Sequence, residues 1–167
     1  AFDNCLGLEK VEFQENSELQ EISDNSFTQT KIKSIKIPPN VTVIGKFAFG
    51  RCKSLKNIEI PTNSQLKKLG TCALTQSLIE DLFIPSHFCE LEKGWCAEVD
   101  HLKNITISQD NKKFIFIDNQ ILYSKSDINS NIYDVIEYVV PSIKEVIIPS
   151  YVTKIGSCAF NNCLKVV

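Results

Sequence analysis

The chain has 167 residues, 43 % of them apolar and 23 % charged, and 18 basic against 20 acidic side chains leave a formal net charge of −2. That composition belongs to a folded chain with enough apolar mass for a core. It excludes a polybasic surface for nucleic acid or anionic lipid, because no basic run stands out, and no apolar stretch nears the ~20 residues of a membrane-spanning helix.

In chain order, one short pattern recurs. Its strand-like cores are KVEF (Lys10 to Phe13), SIKI (Ser34 to Ile37), NIEI (Asn57 to Ile60), DLFI (Asp81 to Ile84), NITI (Asn104 to Ile107) and EVII (Glu145 to Ile148). Their last residues step by 24, 23, 24, 23 and then 41 positions. Regular steps of this size are the mark of stacked coils, and the long one marks an interruption. Alternation within each core points Val11 and Phe13, Ile35 and Ile37, and Ile58 and Ile60 inward. Pro38, Pro61, Pro85 and Pro149 follow their cores at once and end the strand, having no N–H for a ladder.

A second apolar pair follows in the units: Leu19/Ile22, Val41/Ile44, Leu66/Leu69 and Val152/Ile155. Gly45, Gly70 and Gly156 come next and are expected in turns of positive φ. The Ala-Phe segment behind them is too short for an independent helix; one helical or 3₁₀ turn is expected, with its Phe plugging the coil interior. A lone coil cannot bury its apolar face, so neighbours stack and their cores form a parallel sheet on one side. The fourth coil, Ser86 to Val99, departs: Glu98 stands where Phe is expected, and Trp95 beside it is expected to fill the space.

Residues 108–144 form the interruption. FIFIDNQILY (Phe114 to Tyr123) reads as a hairpin turning at Asp118-Asn119, and IYDVIEYVV (Ile132 to Val140) as a further strand. The expectation is one solenoid domain over 1–167 with an inserted β-hairpin at 108–144. Ala1-Phe2 aligns with Ala48-Phe49 in mid-unit, with no initiator Met, so the chain is read as a piece of a longer protein.

Six of the seven cysteines fall on two repeat positions. Cys5, Cys52 and Cys163 align with Thr30, Ser77 and His101; Cys72, Cys96 and Cys158 precede Ala73, Ala97 and Ala159. Buried structural thiols are the expected reading, with a Cys72–Cys96 bond left open. His87, Cys89, Cys96 and His101 lie within 15 residues and include ligand types for zinc. Their spacing matches no common zinc module, and two of them sit at repeat positions, so no metal or other cofactor is assigned. Asn40-Val41-Thr42 and Asn104-Ile105-Thr106 fit the glycan acceptor pattern; only the first is expected in an exposed turn.

The stretch IPPNVTVIGKFAFGRCKSLKNIEIP (Ile37 to Pro61) resembles the BspA-like class of leucine-rich repeats. The Ile-Pro strand end, the V-T-x-I-G segment and A-F-x-x-C carry the likeness, which runs from Ala1 to Cys163. The resemblance implies a leucine-rich-repeat solenoid, mostly β with short helical or 3₁₀ turns. About six coils are implied, with a parallel sheet on one face. It also implies a surface or secreted protein that binds a protein ligand, a host matrix or cell-surface protein being suspected. Its motif carries no catalytic residues, and none is assigned; no phosphate loop, nucleophile elbow or zinc-protease motif appears.

The outward positions of the sheet read Glu12, Lys36, Glu59, Phe83, Thr106 and Ile147. The first three alternate in sign and favour lateral pairing. Phe83 and Ile147 have no structural need to be outward. With Asp81, Thr106, Glu145, Tyr123 and Tyr133 they form the candidate partner-binding set. The competing reading is that the insert (Phe114, Phe116, Tyr123, Tyr133, Tyr138) folds over them as a satellite core. The functional expectation is a non-enzymatic binding or adhesion module at the cell surface or secreted, with no nucleic acid and no small-molecule substrate. The alternative is a cytoplasmic scaffold assembling other proteins.

Overall fold

Two apolar stripes in each repeat unit decide the architecture. In the computed structural model, which describes residues 2–161 and 163, they form β1 (Glu21–Ile22), β2 (Ser34–Lys36), β3 (Val43–Ile44), β4 (Asn57–Glu59), β5 (Lys68–Leu69) and β6 (Asp81–Ile84). Then come β7 (Glu90–Leu91), β8 (Asn104–Ile107), β9 (Phe114–Ile117), β10 (Ile121–Ser124), β11 (Val135–Val139) and β12 (Lys154–Ile155). The alignment of Ala1 with Ala48 lies outside the described residues.

The chain is a β-solenoid of about six turns with parallel strands and no helix among the described residues. Its continuous sheet is not the expected one. The stripe before the glycine supplies it: β1, β3, β5 and β7 run parallel and in register, Ile22 beside Ile44 beside Leu69 beside Leu91. The Ile-Pro cores pair only two by two, β2 with β4 and β6 with β8. Two of the six expected cores are not strands. Lys10 to Phe13 stands off from β2 and leaves a groove lined by Val11, Phe13, Ser34 and Lys36. Glu145 to Ile148 forms no strand and instead lines a cleft with Ile117, Ile121 and Tyr123 of the insert.

Inside the coils the apolar pattern is buried as expected. Ile35, Ile37, Ile58 and Ile60 lie in the core, while Val11 and Phe13 are half-buried in the first coil. The aromatic plugs stack: Phe2, Phe27 and Phe49 have ring centroids 5.6 and 5.4 Å apart, and Leu74 takes the place in the next coil. The backbone repeats with them, Phe27 N–H donating to Ala48 C=O (2.8 Å) and Phe49 N–H to Ala73 C=O (2.9 Å).

The Ala-Phe corner is a chain of tight turns rather than a helical one. Ala48, Gly50 and Cys52 donate back to Gly45, Phe47 and Phe49, but Phe47 and Arg51 are left-handed, with φ of 51° and 58°. Left-handed residues cannot continue a right-handed helix. The same pair four residues apart recurs at Asn25/Gln29, Cys72/Gln76 and Gly94/Glu98.

This spacing corrects the reading of the fourth coil. Gly94 occupies the corner held by Phe47 and Cys72, so Trp95 sits in the Ala place and Cys96 in the Phe/Leu place, not beside Cys72. Glu98 is an exposed corner residue, paired through its carboxylate to Gln76 (2.6 Å). Val99, not His101, stands with Thr30, Cys52 and Ser77 as the small buried residue. Trp95 is buried and packs on Tyr138 at 5.8 Å, as expected of its bulk, though its indole N–H finds no acceptor. All seven cysteines are free thiols, and Cys72 and Cys158 lie at partly or fully exposed left-handed corners instead of inside the core.

Gly45, Gly70 and Gly156 are also corrected. None has positive φ; each lets one coil lie against the next. A Cβ on Gly70 would stand 2.6 Å from the Gly45 carbonyl carbon and the Lys46 nitrogen.

In the insert, Asp118 and Asn119 are both left-handed (φ 51° and 54°) and close the β9–β10 hairpin. The antiparallel β10–β11 pair follows, and β11 then runs parallel to β12 of the final coil, giving the order β12-β11-β10-β9. Asp134 fastens this sheet: it accepts from the hydroxyls of Thr153 (2.6 Å) and Ser126 (2.7 Å) and from Ser126 N–H (2.8 Å). These donors hold its carboxyl well below the usual range, Thr153 contributing most.

Candidate partner-binding face

Part of the charge along the solenoid is paired across coils. Lys33 pairs with Glu9 (2.8 Å), Lys36 with Glu59 (3.0 Å) and Lys103 with Glu80 (3.2 Å), each across neighbouring coils. Glu12 turns to Lys10 (2.7 Å) on its own segment, so only part of the expected sign alternation becomes lateral pairing. Deeper in the stack, Lys68 bridges Glu90 (3.4 Å) and Glu92. The Lys68 ammonium, then the Thr71 hydroxyl and N–H, hold the Glu92 carboxyl down at about 2. Such a surface offers no net sign to a polyanion or polycation.

The seven candidate residues separate into two groups. Asp81, Phe83 and Thr106 lie on the β6–β8 pair, with Phe83 directly opposite Thr106 and Asp81 opposite Asn104. Asn104 donates to the Asp81 carboxylate at 2.8 Å, so that carboxylate is engaged, and Phe83 is half-buried against the core. Ile147 and Glu145 are elsewhere, because their segment does not join that sheet. With Ile117, Ile121, Tyr123 and Val146 they line a cleft of about 400 Å³ between the hairpin and the last coil. Tyr133 does not reach that cleft. It shares a second one, about 260 Å³, with Ile117, Tyr123, Asn131, Ile132 and Tyr151.

Exposure sorts the members further. Ile147 is 84 % exposed, so the insert does not fold over it. Tyr123 is only 4 % exposed and forms a wall between the clefts rather than a free contact; burial pushes its phenol up. The satellite core exists, but under other residues: Phe114 packs on Phe88 at 5.7 Å, and Tyr138 donates to Leu102 C=O at 2.7 Å. Tyr133 carries the Lys125 ammonium 4.9 Å over its ring.

Residues 117, 132 and 151 complete this surface, and the sequence reading did not select them. Ile117, Ile132 and Tyr151 are 37 %, 52 % and 47 % exposed. Tyr151 had a usable signal: it stands where Asn40 stands in the coil turn after the proline, an aromatic in a polar place. The soft-ligand cluster does not assemble. Cys96 is buried while His87, Cys89 and His101 are exposed, and no three such side chains converge among the described residues.

A stack of 23- to 24-residue coils with parallel strands in register from coil to coil defines a leucine-rich-repeat solenoid. The match to the BspA type leucine rich repeat region, six copies over residues 1–129 and 130–167, places this chain in that family. The fold is shared with the pneumococcal vaccine antigen PcpA, at TM-score 0.78 and 22 % identity over 89 % of this chain and 36 % of that one. A leucine rich cell surface protein of Faecalibacterium prausnitzii A2-165 gives 0.74 and 21 %, over 100 % and 49 %. A leucine-rich repeat protein of Eubacterium ventriosum gives 0.66 and 19 %, over 88 % and 44 %. The chain thus spans less than half the length of these structures, and at this identity they show the fold alone. No curated protein matches the sequence. The repeat family is in general a non-enzymatic scaffold for protein binding.

Proposed function

We propose that this chain is a non-enzymatic adhesion or protein-binding segment of a cell-surface or secreted protein, with a host matrix or cell-surface protein as its ligand. The observation that supports it most is the exposed apolar rim of the two clefts, led by Ile147 at 84 % exposure. An apolar patch rimmed by polar groups is the usual mark of a protein contact. Ile147, Tyr133 and Glu145 are the proposed contacts with Tyr123 as the shared wall; Asp81, Phe83 and Thr106 form a smaller, separate patch on the β6–β8 pair. The names of the surface-protein relatives support the location. The test is binding of the parent and an Ile147→Ser/Tyr133→Ala variant to immobilised matrix proteins and to host cells. Loss of binding by a variant with unchanged circular dichroism supports the reading; equal binding overturns it.

A cytoplasmic scaffold is the second reading, favoured by the seven free thiols, which suit a reducing compartment. Fractionation of cells producing the intact protein separates the two.

A further inference from the structure

The four-stranded sheet ends on β9, which is hydrogen-bonded to β10 on one side and, among the described residues, to no strand on the other; at the start of that edge Asn111 ties the strand to Pro85 and Phe88 C=O. Gln120 N–H donates to Ile117 C=O (2.9 Å) and Lys125 N–H to Lys113 C=O (3.1 Å), so the odd-numbered residues of β9 bond to β10. By alternation the backbone groups of Phe114 and Phe116 point outward. The Phe114 N–H is already taken by the Asn111 side chain at 3.0 Å. That leaves Phe114 C=O and Phe116 C=O as acceptors and Phe116 N–H as a donor.

Natural sheets guard such an edge with prolines, bulges or inward charges. Here the edge reads Phe-Ile-Phe-Ile, with Ile115 and Ile117 exposed (36 % and 37 %) on one face. Charges flank it at both ends: exposed Lys112, and Lys113 whose ammonium donates to Lys125 C=O, before the strand, and exposed Asp118 after it.

We propose that β9 is the seam of a two-fold dimer, in which the edge strands of two copies pair antiparallel about Ile115. In that register each Phe116 N–H donates to Phe114 C=O of the second copy, while Phe116 C=O is left to solvent because the Phe114 N–H that would face it is held by Asn111. The two Ile115 side chains meet on the axis, and each Lys112 falls opposite the other copy's Asp118. The strand is therefore complementary to itself in hydrogen bonds, apolar side chains and charge, as a two-fold contact requires. Joining the sheets makes one of eight strands and sets the apolar clefts of the two copies on either side of the seam. The pairing stands independently of the ligand proposed above.

Sedimentation equilibrium and light scattering across the micromolar range test it. The parent is expected to be a dimer. Ile115→Glu and Ile115→Lys each bring like charges together on the axis and weaken association by on the order of a hundredfold. Mixed together, the two variants restore a heterodimer. Lys112→Glu, facing the second copy's Asp118, weakens the dimer through an exposed residue that the fold does not need. A parent that stays monomeric overturns the proposal, whether or not the strand captures some other extended chain. A dimer indifferent to Ile115→Glu, or charge variants that fail to complement each other, overturns it equally.

Discussion

Gly70 tests whether these coils are held apart by backbone contact or turned by backbone conformation. Replacing it with Ala puts a Cβ 2.6 Å from both the Gly45 carbonyl carbon and the Lys46 nitrogen, and 2.9 Å from the Gly45 oxygen. An ordinary contact needs the two backbones to part by roughly 0.8 Å. The atoms in the way are backbone and cannot swing aside. Parting them stretches the bonds that zip the coils together, Gly70 N–H to Ile44 C=O (2.8 Å) and Phe47 N–H to Thr71 C=O (2.9 Å). Overpacking costs about 1–3 kcal/mol, and a weakened backbone bond adds up to about 1 kcal/mol. The lost flexibility of the unfolded chain returns about 0.4–1 kcal/mol. The expected net loss is about 2 kcal/mol, or a fall in the urea midpoint of about 1 M. Fluorescence of Trp95, the one tryptophan and a buried one, reads the transition. Gly7→Ala is the control: no atom lies within 4 Å of its added Cβ, and a change within about 0.5 kcal/mol is expected. Gly70→Asn decides between the two accounts. Asn tolerates left-handed backbone but still carries a Cβ, so it should be at least as damaging as Ala. Tolerance of Asn, or a Gly70→Ala protein as stable as the parent, would refute the close-approach argument.

Two further outcomes are expected. Phe49→Ala empties a fully buried plug stacked 5.4 Å from Phe27 and should cost about 3–5 kcal/mol by denaturant unfolding. Phe49→Leu, the side chain type of Leu74, should cost less than about 1.5 kcal/mol. For Glu92 the sign follows from a folded-state pKa lowered from 4.5 to about 2. Its stabilisation is complete above pH 4.5 and is lost as pH falls toward 2. The stability difference between the parent and Glu92→Gln should therefore be constant near neutrality and shrink toward zero between those limits; a difference unchanged down to pH 2 would contradict the Lys68–Glu92–Thr71 arrangement.

How far the sequence could be read depended on what kind of signal each feature left. Periodicity carried the solenoid, because Ile35, Ile58, Leu82 and Ile105 each bury a side chain whose spacing is written in the chain. The same periodicity could not say which stripe makes the continuous sheet. That depends on whether each backbone meets a neighbouring strand, and Glu145 to Ile148 meets a cleft beside the hairpin instead. The fourth coil was misaligned because Cys96-Ala97 imitates Cys72-Ala73, whereas the left-handed corners at Gly94 and Glu98 fix the register. Among the candidate contacts, Ile147 was legible as an apolar residue in an outward place. Tyr123 was legible only as one of two alternatives, a contact or a satellite-core residue, and its 4 % exposure within the core cluster decides for the second.

The paired left-handed corners have a consequence for how the protein comes apart. Holding residues such as Phe47, Arg51, Cys72 and Gln76 in that conformation costs roughly 1 kcal/mol or more apiece. Nothing within a solitary loop repays it, because the bonds that satisfy each corner run to the neighbour, as from Phe47 to Thr71 and from Arg51 to Thr75. Order must therefore spread by contagion from one loop to its neighbour, and a break introduced in any one coil should loosen the corners of the coils on both sides of it.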